Sequence, residues 1–384
     1  MDHRITAAEA EKKYESQVLA VYLLDESTGR IAVCSWIDQK KITGKWQLEI
    51  DGKRHSFGQF LLTGMSANEV REYLLSVEVP DLYYGETAVL IIRFYDQDNQ
   101  EIAVEKFILP PPARLVKPAE KEQFFTGLRF DISRAEISSG KLSAVIGADG
   151  MRELRYNGEK LLTSCPKLAL WRAQKTAESL NDLALDRPRI SADRFVSDGK
   201  SVECHSLFLP RKMEMDELEF TQRFTPREDG TIRYDMEFVV PECFAGIPRL
   251  GVMLRLPGKM KNITFFGNGP FENYPGSSAA VLSSYTFDVS EMYPEYDSAV
   301  SGGTRSEVRK LELSSDDGQK LQIIAGNSFS FSALPFSEYA IDDAARAGKM
   351  PEADGEIHLH IDCRIGELKP VQAGLFRMTL FFKA

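Results

Sequence analysis

Several motifs that mark common enzyme classes are missing from this 384-residue sequence. It has 5 cysteines and 5 histidines but no Cys-x-x-Cys pair, which excludes a zinc ribbon and a thioredoxin-like redox motif. His-Glu-x-x-His, Gly-x-Ser-x-Gly and a Gly-x-Gly-x-x-Gly turn after a strand are also absent, which argues against zinc-protease, α/β-hydrolase and dinucleotide-binding chemistry. The sequence therefore offers no self-evident catalytic motif, and it implies no cofactor.

Long apolar runs and an excess of positive charge are also lacking. No stretch of about 18 apolar residues exists, so no membrane span is expected. With Lys+Arg at 47 and Asp+Glu at 57, the net charge of −10 disfavours nucleic acid and anionic lipid as partners. The first residues do not have the layout of a signal peptide, and the widely spaced cysteines are typical of buried reduced thiols. These features together predict a cytoplasmic protein.

The first part of the chain is rich in short strand patterns. Residues 1–14 are polar and are interpreted as an extension or linker, and about seven strands are expected between 15 and 110. Asp51-Gly52 lies between two apolar runs and predicts a hairpin turn. This density of strands fits an immunoglobulin-like β-sandwich. A proline-rich and charged linker then occupies 111–123, where a sheet cannot continue.

The second part, residues 124–384, is also strand-rich. Apolar residues alternate with polar ones from Ile232 to Val240, which predicts a strand with one buried face. Only one convincing helix is expected, from about Glu338 to Ala347, with Ser337 as its N-cap. About 260 residues of strand exceed a simple sandwich, so the sequence predicts an all-β protein whose second domain is a large two-sheet sandwich.

The loop from Gly267 to Gly276 is the densest in chemical groups. Its glycines and prolines fix the turn, so Glu272 and Tyr274 are held in a set position. One interpretation is a sugar-facing rim, because carboxylate acceptors and aromatic faces suit sugar recognition. The alternative is a structural corner in which Glu272 pairs with Arg249 or Arg305.

Two further groups of residues are candidates for binding. Trp171 and Arg172 end an apolar strand, where they either stack on and bond a sugar ring or pack in the core. His358, His360 and Asp362 share one strand face and form a weak candidate for a metal site, the alternative being a polar sheet face. No catalytic residue is assigned. The carbohydrate-binding candidates are Trp171, Arg172, Glu272, Tyr274 and Arg305, with Arg249 and Asn268 as structural support.

The order of several segments resembles the small-chain domain of β-galactosidases of glycoside hydrolase family 2. The segments that carry this resemblance are Leu170-Trp171-Arg172-Ala173, Ile247-Pro248-Arg249-Leu250-Gly251, the Phe265–Tyr274 loop, and Gly302-Gly303-Thr304-Arg305. The first domain is similar to the immunoglobulin-like domain that precedes the small chain in that family, through Trp46 to Gly52 and Gly85-Glu86. The resemblance covers about residues 15–384.

The resemblance implies a galactose-mutarotase-like β-supersandwich that supports a separate catalytic barrel and shapes its carbohydrate-binding cleft. The chain is then a noncatalytic portion or small subunit, any activity belongs to the whole β-galactosidase, and the catalytic acids lie outside this chain. A catalytic barrel or large subunit and a carbohydrate are the implied partners, with oligomerisation as a further expectation. Two alternatives stay open: a free-standing carbohydrate-binding module, and an aldose epimerase with His205 as a candidate acid.

Overall fold

The structure is a computed structural model that describes residues 17–25, 29–80, 82, 86–109, 124–212, 214–277, 280–366 and 370–384. The extension at 1–14 and the linker at 111–123 lie outside the described residues. Strands dominate the described part, which confirms the all-β prediction. The chain divides into two compact units, one with residues 1–119 and 277–284 and one with residues 120–276 and 285–384.

The first unit contains seven strands in two antiparallel sheets. The strands are β1 (Leu19–Asp25), β2 (Arg30–Ser35), β3 (Gln39–Ile50), β4 (Lys53–Met65), β5 (Val70–Leu74), β6 (Ala88–Tyr95) and β7 (Glu101–Leu109). One sheet has the order β1-β2-β5 and the other β4-β3-β6-β7. Apolar residues of both sheets, such as Ile31 and Ile92, form one buried cluster. Asp51 and Gly52 have positive φ values of 48° and 76° and connect β3 to β4 as the predicted hairpin turn.

The first unit also includes a segment from much later in the chain, residues 277–284. Lys106 Nζ donates a hydrogen bond to the Leu282 carbonyl over 3.0 Å, and Ser284 Oγ donates to the Asp51 carbonyl over 3.2 Å. Burial lowers the pKa of Lys106 to about 8. The sequence-based boundary placed everything after residue 124 in the second domain, because no change in composition marks this short segment.

The second unit contains most of the strands. They are β8 (Thr126–Phe130), β9 (Ala135–Ser139), β10 (Leu142–Gly147), β11 (Gly150–Tyr156), β12 (Glu159–Lys160), β13 (Ser164–Ala169), β14 (Arg189–Ser197), β15 (Val202–Leu209), β16 (Leu218–Pro226), β17 (Ile232–Val240), β18 (Arg249–Pro257), β19 (Asn262–Gly269), β20 (Val281–Asp288), β21 (Arg305–Ser314), β22 (Lys320–Leu334), β23 (Glu356–Ile365) and β24 (Gly374–Lys383). The first four residues of β20, 281–284, belong to the first unit. The helix α1 spans Glu338–Arg346, and short 3₁₀ helices span Glu178–Leu183, Glu242–Phe244 and Val289–Glu291.

Two sheets enclose the core of the second unit. A five-stranded sheet has the order β12-β11-β10-β9-β8. The larger, twelve-stranded sheet follows β13-β18-β23-β22-β24-β17-β16-β15-β14, with β21, β19 and β20 branching from β22. In β17, Ile232, Tyr234 and Phe238 are fully buried while their neighbours are at least partly exposed, which confirms the predicted alternation. One continuous apolar cluster unites residues from both sheets.

The predicted helix is confirmed, and it lies beside the candidate site. Ser337 Oγ accepts a hydrogen bond from the Ala340 amide over 3.1 Å, as an N-cap residue does. Glu338 and Ile341 on its inner face are buried. The helix thereby presents its first turn to the loops that carry the candidate residues.

Candidate functional site

Asn273 is the residue that holds the loop after β19 in shape. Its Oδ1 accepts hydrogen bonds from the Ser306 amide (3.0 Å) and hydroxyl (2.6 Å). Its Nδ2 donates to the carbonyls of Asn268 (3.0 Å) and Phe271 (2.8 Å). The side-chain amide thus bonds the loop backbone through its donors and connects the loop to β21 through its acceptor. Sequence reasoning missed Asn273, although an asparagine amid glycine and proline is a known turn signal.

The carboxylate of Glu272 is held by three donors. Tyr274 donates its hydroxyl to Oε1 over 2.8 Å, the Gly303 amide donates to Oε1 over 3.0 Å, and the Tyr296 hydroxyl donates to Oε2. Burial, with the hydrogen bond to Glu272, raises the pKa of Tyr296, so its phenol stays protonated and donates. Glu272 is half-buried. The structure therefore builds a fixed acceptor at the position that the sequence singled out.

The predicted arginine partners of Glu272 differ from those observed. Among the described residues, neither Arg249 nor Arg305 forms an ion pair with Glu272. Arg305 Nε donates to the Pro270 carbonyl (3.0 Å) and Nη1 donates to the Thr304 carbonyl (3.1 Å), so this buried arginine braces the loop backbone. Burial lowers its pKa to about 10, and the nearby charge of Glu272 limits this effect. The expectation of an Arg249–Glu272 pair was wrong, because Arg249 has buried acidic partners of its own.

Arg172 lies fully buried and connects the loop to the rest of the site. Its Nη2 donates to the Tyr274 hydroxyl over 2.8 Å and to the Ser301 carbonyl over 3.1 Å, and its Nε donates to Ser301 Oγ over 3.2 Å. Its guanidinium carbon lies 5.3 Å from the centre of the Tyr274 ring. Tyr274 thus accepts from Arg172 while it donates to Glu272. The buried guanidinium positions the tyrosine, and through it the carboxylate.

Glu338, at the start of α1, continues this chain of contacts into the core. It accepts hydrogen bonds from the Ala173 amide (2.9 Å), from Ser301 Oγ (2.7 Å) and from Arg249 Nη1 (3.0 Å). Arg249 Nε also lies 3.0 Å from Asp362 Oδ1, as an ion pair rather than a well-formed hydrogen bond. All three charged side chains are at most 8% exposed. Sequence reasoning missed Glu338, whose acidic side chain in a first helical turn has an ordinary explanation in helix capping.

Asp362 is a buried carboxyl with a strongly perturbed environment. Burial raises its pKa to about 6, while the positive charge of Arg249 opposes the rise. In the structure, Asp362 is the ion-pair partner of Arg249.

The weak metal candidate is not assembled as the sequence suggested. In the described ranges, the one group of three metal-binding side chains whose ligand atoms lie within 4.8 Å of each other is Asp354, Glu356 and His358. His358 Nε2 lies 2.8 Å from Asp354 Oδ2, and Glu356 forms an ion pair with Arg255. Burial lowers the pKa of His360 well below its usual value, so that ring is neutral.

The remaining candidates lie at the edge of this arrangement. Trp171 is partly exposed, and its ring centre lies 5.2 Å from that of Tyr339, with the rings inclined by 34°. Asn268 Nδ2 donates to Ser306 Oγ over 3.3 Å, next to the bonds of Asn273, which agrees with a supporting position. Arg172, Tyr274 and Glu272 are thus connected by direct hydrogen bonds, and Ser301 and Glu338 connect the Arg172–Ala173 segment to α1. Arg305 contacts the same loop through the Pro270 carbonyl. Carbohydrate binding by the candidate residues stays a prediction.

The region that contains this site matches a known family. The model of the β-galactosidase small chain matches residues 141–366, which is more than half of the chain. This chain belongs to the β-galactosidase small-chain family. The match includes every carbohydrate-binding candidate and the supporting residues Arg249 and Asn268. The immunoglobulin-like domain suggested by the resemblance lies outside the matched residues.

Relatives of this small-chain family member include several β-galactosidases. A β-galactosidase of Pseudoalteromonas haloplanktis is 28% identical over 141 residues, covering 36% of this chain and 13% of the relative. The enzyme of Vibrio cholerae is 25% identical over 183 residues (47% and 17%), and that of Priestia megaterium 21% identical over 272 residues (66% and 25%). The small-chain protein thus spans a quarter or less of the length of these three relatives.

Solved structures with a similar course of the chain include two epimerases. A GalM/aldose epimerase homologue from C. elegans has a TM-score of 0.37 and 8% identity, covering 67% of this chain and 98% of that one. A galactose 1-epimerase from Lactobacillus acidophilus has a TM-score of 0.30 and 9% identity, covering 69% and 98%. Similarity at this level supports no statement about activity. Within the described ranges, no helix has the length and apolar character that crossing a bilayer requires.

Proposed function

We propose that this chain is a noncatalytic portion of a β-galactosidase-like glycoside hydrolase, which supports a separate catalytic barrel and shapes its carbohydrate-binding cleft. The observation that carries the proposal is the small-chain match over residues 141–366. β-Galactosidases are among the relatives of this region, and the chain spans a quarter or less of the length of three of them. A partner that supplies the barrel would complete the enzyme.

The contacts of the acidic residues support a noncatalytic role. Hydrolysis of a glycoside needs two carboxyl groups on opposite sides of one bond, about 5–10 Å apart. At the candidate site, Glu272 is held by two tyrosines and a backbone amide, and Glu338 by Arg249, Ser301 and a backbone amide. Asp362 is fully buried against Arg249. Each of these three carboxyl groups therefore has a structural partner in the described part of the chain.

The geometry of the loop supports the cleft-shaping role. Asn273 donates to the Phe271 carbonyl and accepts from the Ser306 hydroxyl, and Arg172 donates to the Tyr274 hydroxyl. These bonds hold Glu272 and Tyr274 in one orientation. Preorganised polar groups beside an aromatic ring are typical of a small-molecule site. We propose that these two side chains, with Trp171, form the wall that faces the sugar.

The strand arrangement of the first unit fits the role of a supporting domain. Its three-stranded and four-stranded antiparallel sheets, with one shared core, are the arrangement of an immunoglobulin-like sandwich. We propose that it is the immunoglobulin-like linker domain of the family. A cytoplasmic location and oligomerisation stay predictions.

The direct experiment is reconstitution. A β-galactosidase catalytic barrel is purified separately, and hydrolysis of o-nitrophenyl β-galactoside is measured for each protein and for the mixture. We expect no turnover by this chain, little by the barrel, and full turnover by a complex that elutes together in size-exclusion chromatography. Turnover by this chain alone, or a barrel whose activity and elution are unchanged by it, would contradict the proposal.

A further inference from the structure

The three-stranded sheet of the first unit carries an apolar face on its outer side. Inner side chains of this sheet, such as Ile31, belong to the buried cluster of the unit. On the other side, Tyr22 of β1 lies opposite Ala32 of β2, and Cys34 of β2 lies opposite Val70 of β5. Ala32 and Cys34 are no part of the buried cluster, so this second set of side chains faces away from the core.

The large side chains of this outer face are strongly exposed to water. Leu24 and Trp36 extend the face at its two ends, and the ladder of β1 and β2 continues as far as the Trp36 amide, which donates to the Val18 carbonyl over 2.9 Å. The exposed members are Tyr22 (55%), Leu24 (48%), Trp36 (49%), Val70 (59%) and Leu74 (64%). Single exposed apolar residues are ordinary on a protein surface, but a contiguous apolar face on one sheet indicates an interaction site.

The area of the outer face agrees with that of a protein interface. A large side chain presents about 150–250 Å² when it is fully exposed, so these five exposures leave roughly 500 Å² of apolar surface open to water. Each partner in an ordinary stable interface contributes about 800 Å², and about 65% of a homodimer interface is apolar. The outer face therefore supplies the apolar area that one half of a dimer needs.

The charged residues of the outer face favour a second copy of the same chain as its occupant. Arg30 Nε lies 3.0 Å from Glu72 Oε2, and the two side chains are 55% and 52% exposed. Asp25, opposite Arg30 at the end of β1, adds one negative charge. The charges of the face thus nearly cancel, although the whole chain carries −10. Two copies can consequently approach each other here without the repulsion that their other surfaces impose.

We propose that two copies of this chain form a two-fold symmetric dimer through the outer faces of their three-stranded sheets. A two-fold axis that lies in the interface and passes between Arg30 and Glu72 sets Arg30 of each copy against Glu72 of the partner subunit. The apolar side chains of the two faces then pack against each other, as the inner faces of two stacked sheets do. This interface lies outside the residues that match the small-chain family, so the inference goes beyond the proposed function.

Sedimentation velocity of the full chain at micromolar concentrations tests the proposal, and we expect a species with the mass of two chains. Val70→Glu places a carboxylate within the apolar interface, where it loses its hydration, and should weaken the dimer at least about 100-fold. The matched control is Leu61→Glu, which introduces the same carboxylate at an apolar residue that is 50% exposed on β4 of the other sheet. This control should dimerise within about twofold of wild type.

The substitutions Arg30→Glu and Glu72→Arg test the pairing of charges across the two-fold axis. Each variant alone sets like charges against each other and should dimerise about tenfold more weakly than wild type. An equimolar mixture of the two variants should recover association close to that of wild type. In the mixture, two negative side chains of one copy face two positive side chains of the other. Such a recovery is specific to two chains that meet through this face.

Three results would overturn the proposal: wild type that stays monomeric, Val70→Glu that dimerises as well as wild type, or Leu61→Glu that dissociates as much as Val70→Glu. A mixture of the charge variants that does not recover would also contradict it. Melting followed by circular dichroism should be close to wild type for every variant, because the substituted residues are exposed.

Association with the catalytic barrel separates this proposal from the proposed function. A monomeric wild type whose binding to the barrel is lost in Val70→Glu would assign the outer face to the barrel, and the dimer proposal would fail. Galactosidase activity of wild type mixed with the barrel is measured separately. Its presence supports the proposed function whether or not the chain forms a dimer.

Discussion

Replacement of Arg249 by methionine tests how the buried charges stabilise the second unit. Arg249 is 1% exposed and lies between two carboxylates, 3.0 Å from Glu338 Oε1 and 3.0 Å from Asp362 Oδ1. Methionine has a similar length and keeps most of the apolar packing, so the substitution removes mainly the charge and its hydrogen bonds. Both carboxylates then lie buried without their central cation.

The expected loss follows from the cost of a buried, unpaired charge. Removal of one member of a buried ion pair lowers the free energy of unfolding by about 3–5 kcal/mol. For a unit of this size, 1 kcal/mol corresponds to about 2–4 °C in melting temperature, so we expect the midpoint to fall by roughly 10 °C. The loss should grow with pH. Without Arg249 the folded-state pKa of Asp362 rises further above its unfolded value, so the variant is penalised increasingly as the pH rises above 6.

The assay must report on the second unit alone. Of the three tryptophans, Trp36 and Trp46 lie in the first unit and Trp171 in the second. Urea unfolding followed by Trp171 fluorescence in a Trp36→Phe, Trp46→Phe background therefore measures the second unit, at pH 5.5 and at pH 8.

The matched control is Arg377→Met, which breaks an exposed pair with Glu237 (2.7 Å, side chains 69% and 40% exposed). Such a surface pair contributes about 0–1 kcal/mol, so this variant should unfold close to wild type. The reasoning is refuted if Arg249→Met loses no more stability than Arg377→Met, or if its deficit is the same at both pH values.

Four further substitutions have expected outcomes. Asp362→Asn should abolish one pH-dependent component of stability. Because the pKa of Asp362 is raised in the folded state, wild type should lose about 3 kcal/mol of unfolding free energy as the pH rises from about 4 to above 6. Parallel pH profiles of the two proteins would contradict this. Asn273→Asp keeps the acceptor but loses both donated bonds, and calorimetry should show a loss of about 1–3 kcal/mol; an unchanged melting temperature would mean that the loop does not depend on them. Glu272→Ala should destabilise by about 1–3 kcal/mol, less than a buried ion pair would, and should weaken sugar binding; reduced stability with intact binding would assign it to structure alone. Polarimetry should show no acceleration of galactose mutarotation by wild type or by His205→Ala; a rate enhancement that this substitution removes would favour the epimerase alternative.

Elements with a clear periodic signal could be predicted from the sequence. The alternation in β17 and the capped helix α1 were predicted because side-chain pattern and local hydrogen bonding agree with the fold. The strand β14 was missed because it forms an edge of the large sheet and is exposed along most of its length, so no apolar pattern marks it.

The residues of the candidate site likewise divide into those that the local sequence indicates and those that only tertiary packing brings together. The loop with Glu272 and Tyr274 could be found from its dense glycines and prolines, since these act locally. The partner of Arg249 could not, because Glu338 lies 89 residues further along the chain and is brought there by tertiary packing.

The late segment that completes the first unit has a consequence for synthesis and for protein engineering. On the ribosome, strands β1 to β7 emerge early, but residues 277–284 appear only after residues 110–276 have been translated. Until then Lys106 lacks the Leu282 carbonyl that it binds in the finished protein. A gene divided at the proline-rich linker would consequently yield an N-terminal fragment that lacks residues 277–284 of the first unit. A fusion partner or purification tag should be placed so that residues 277–284 stay in the same chain as strands β1 to β7.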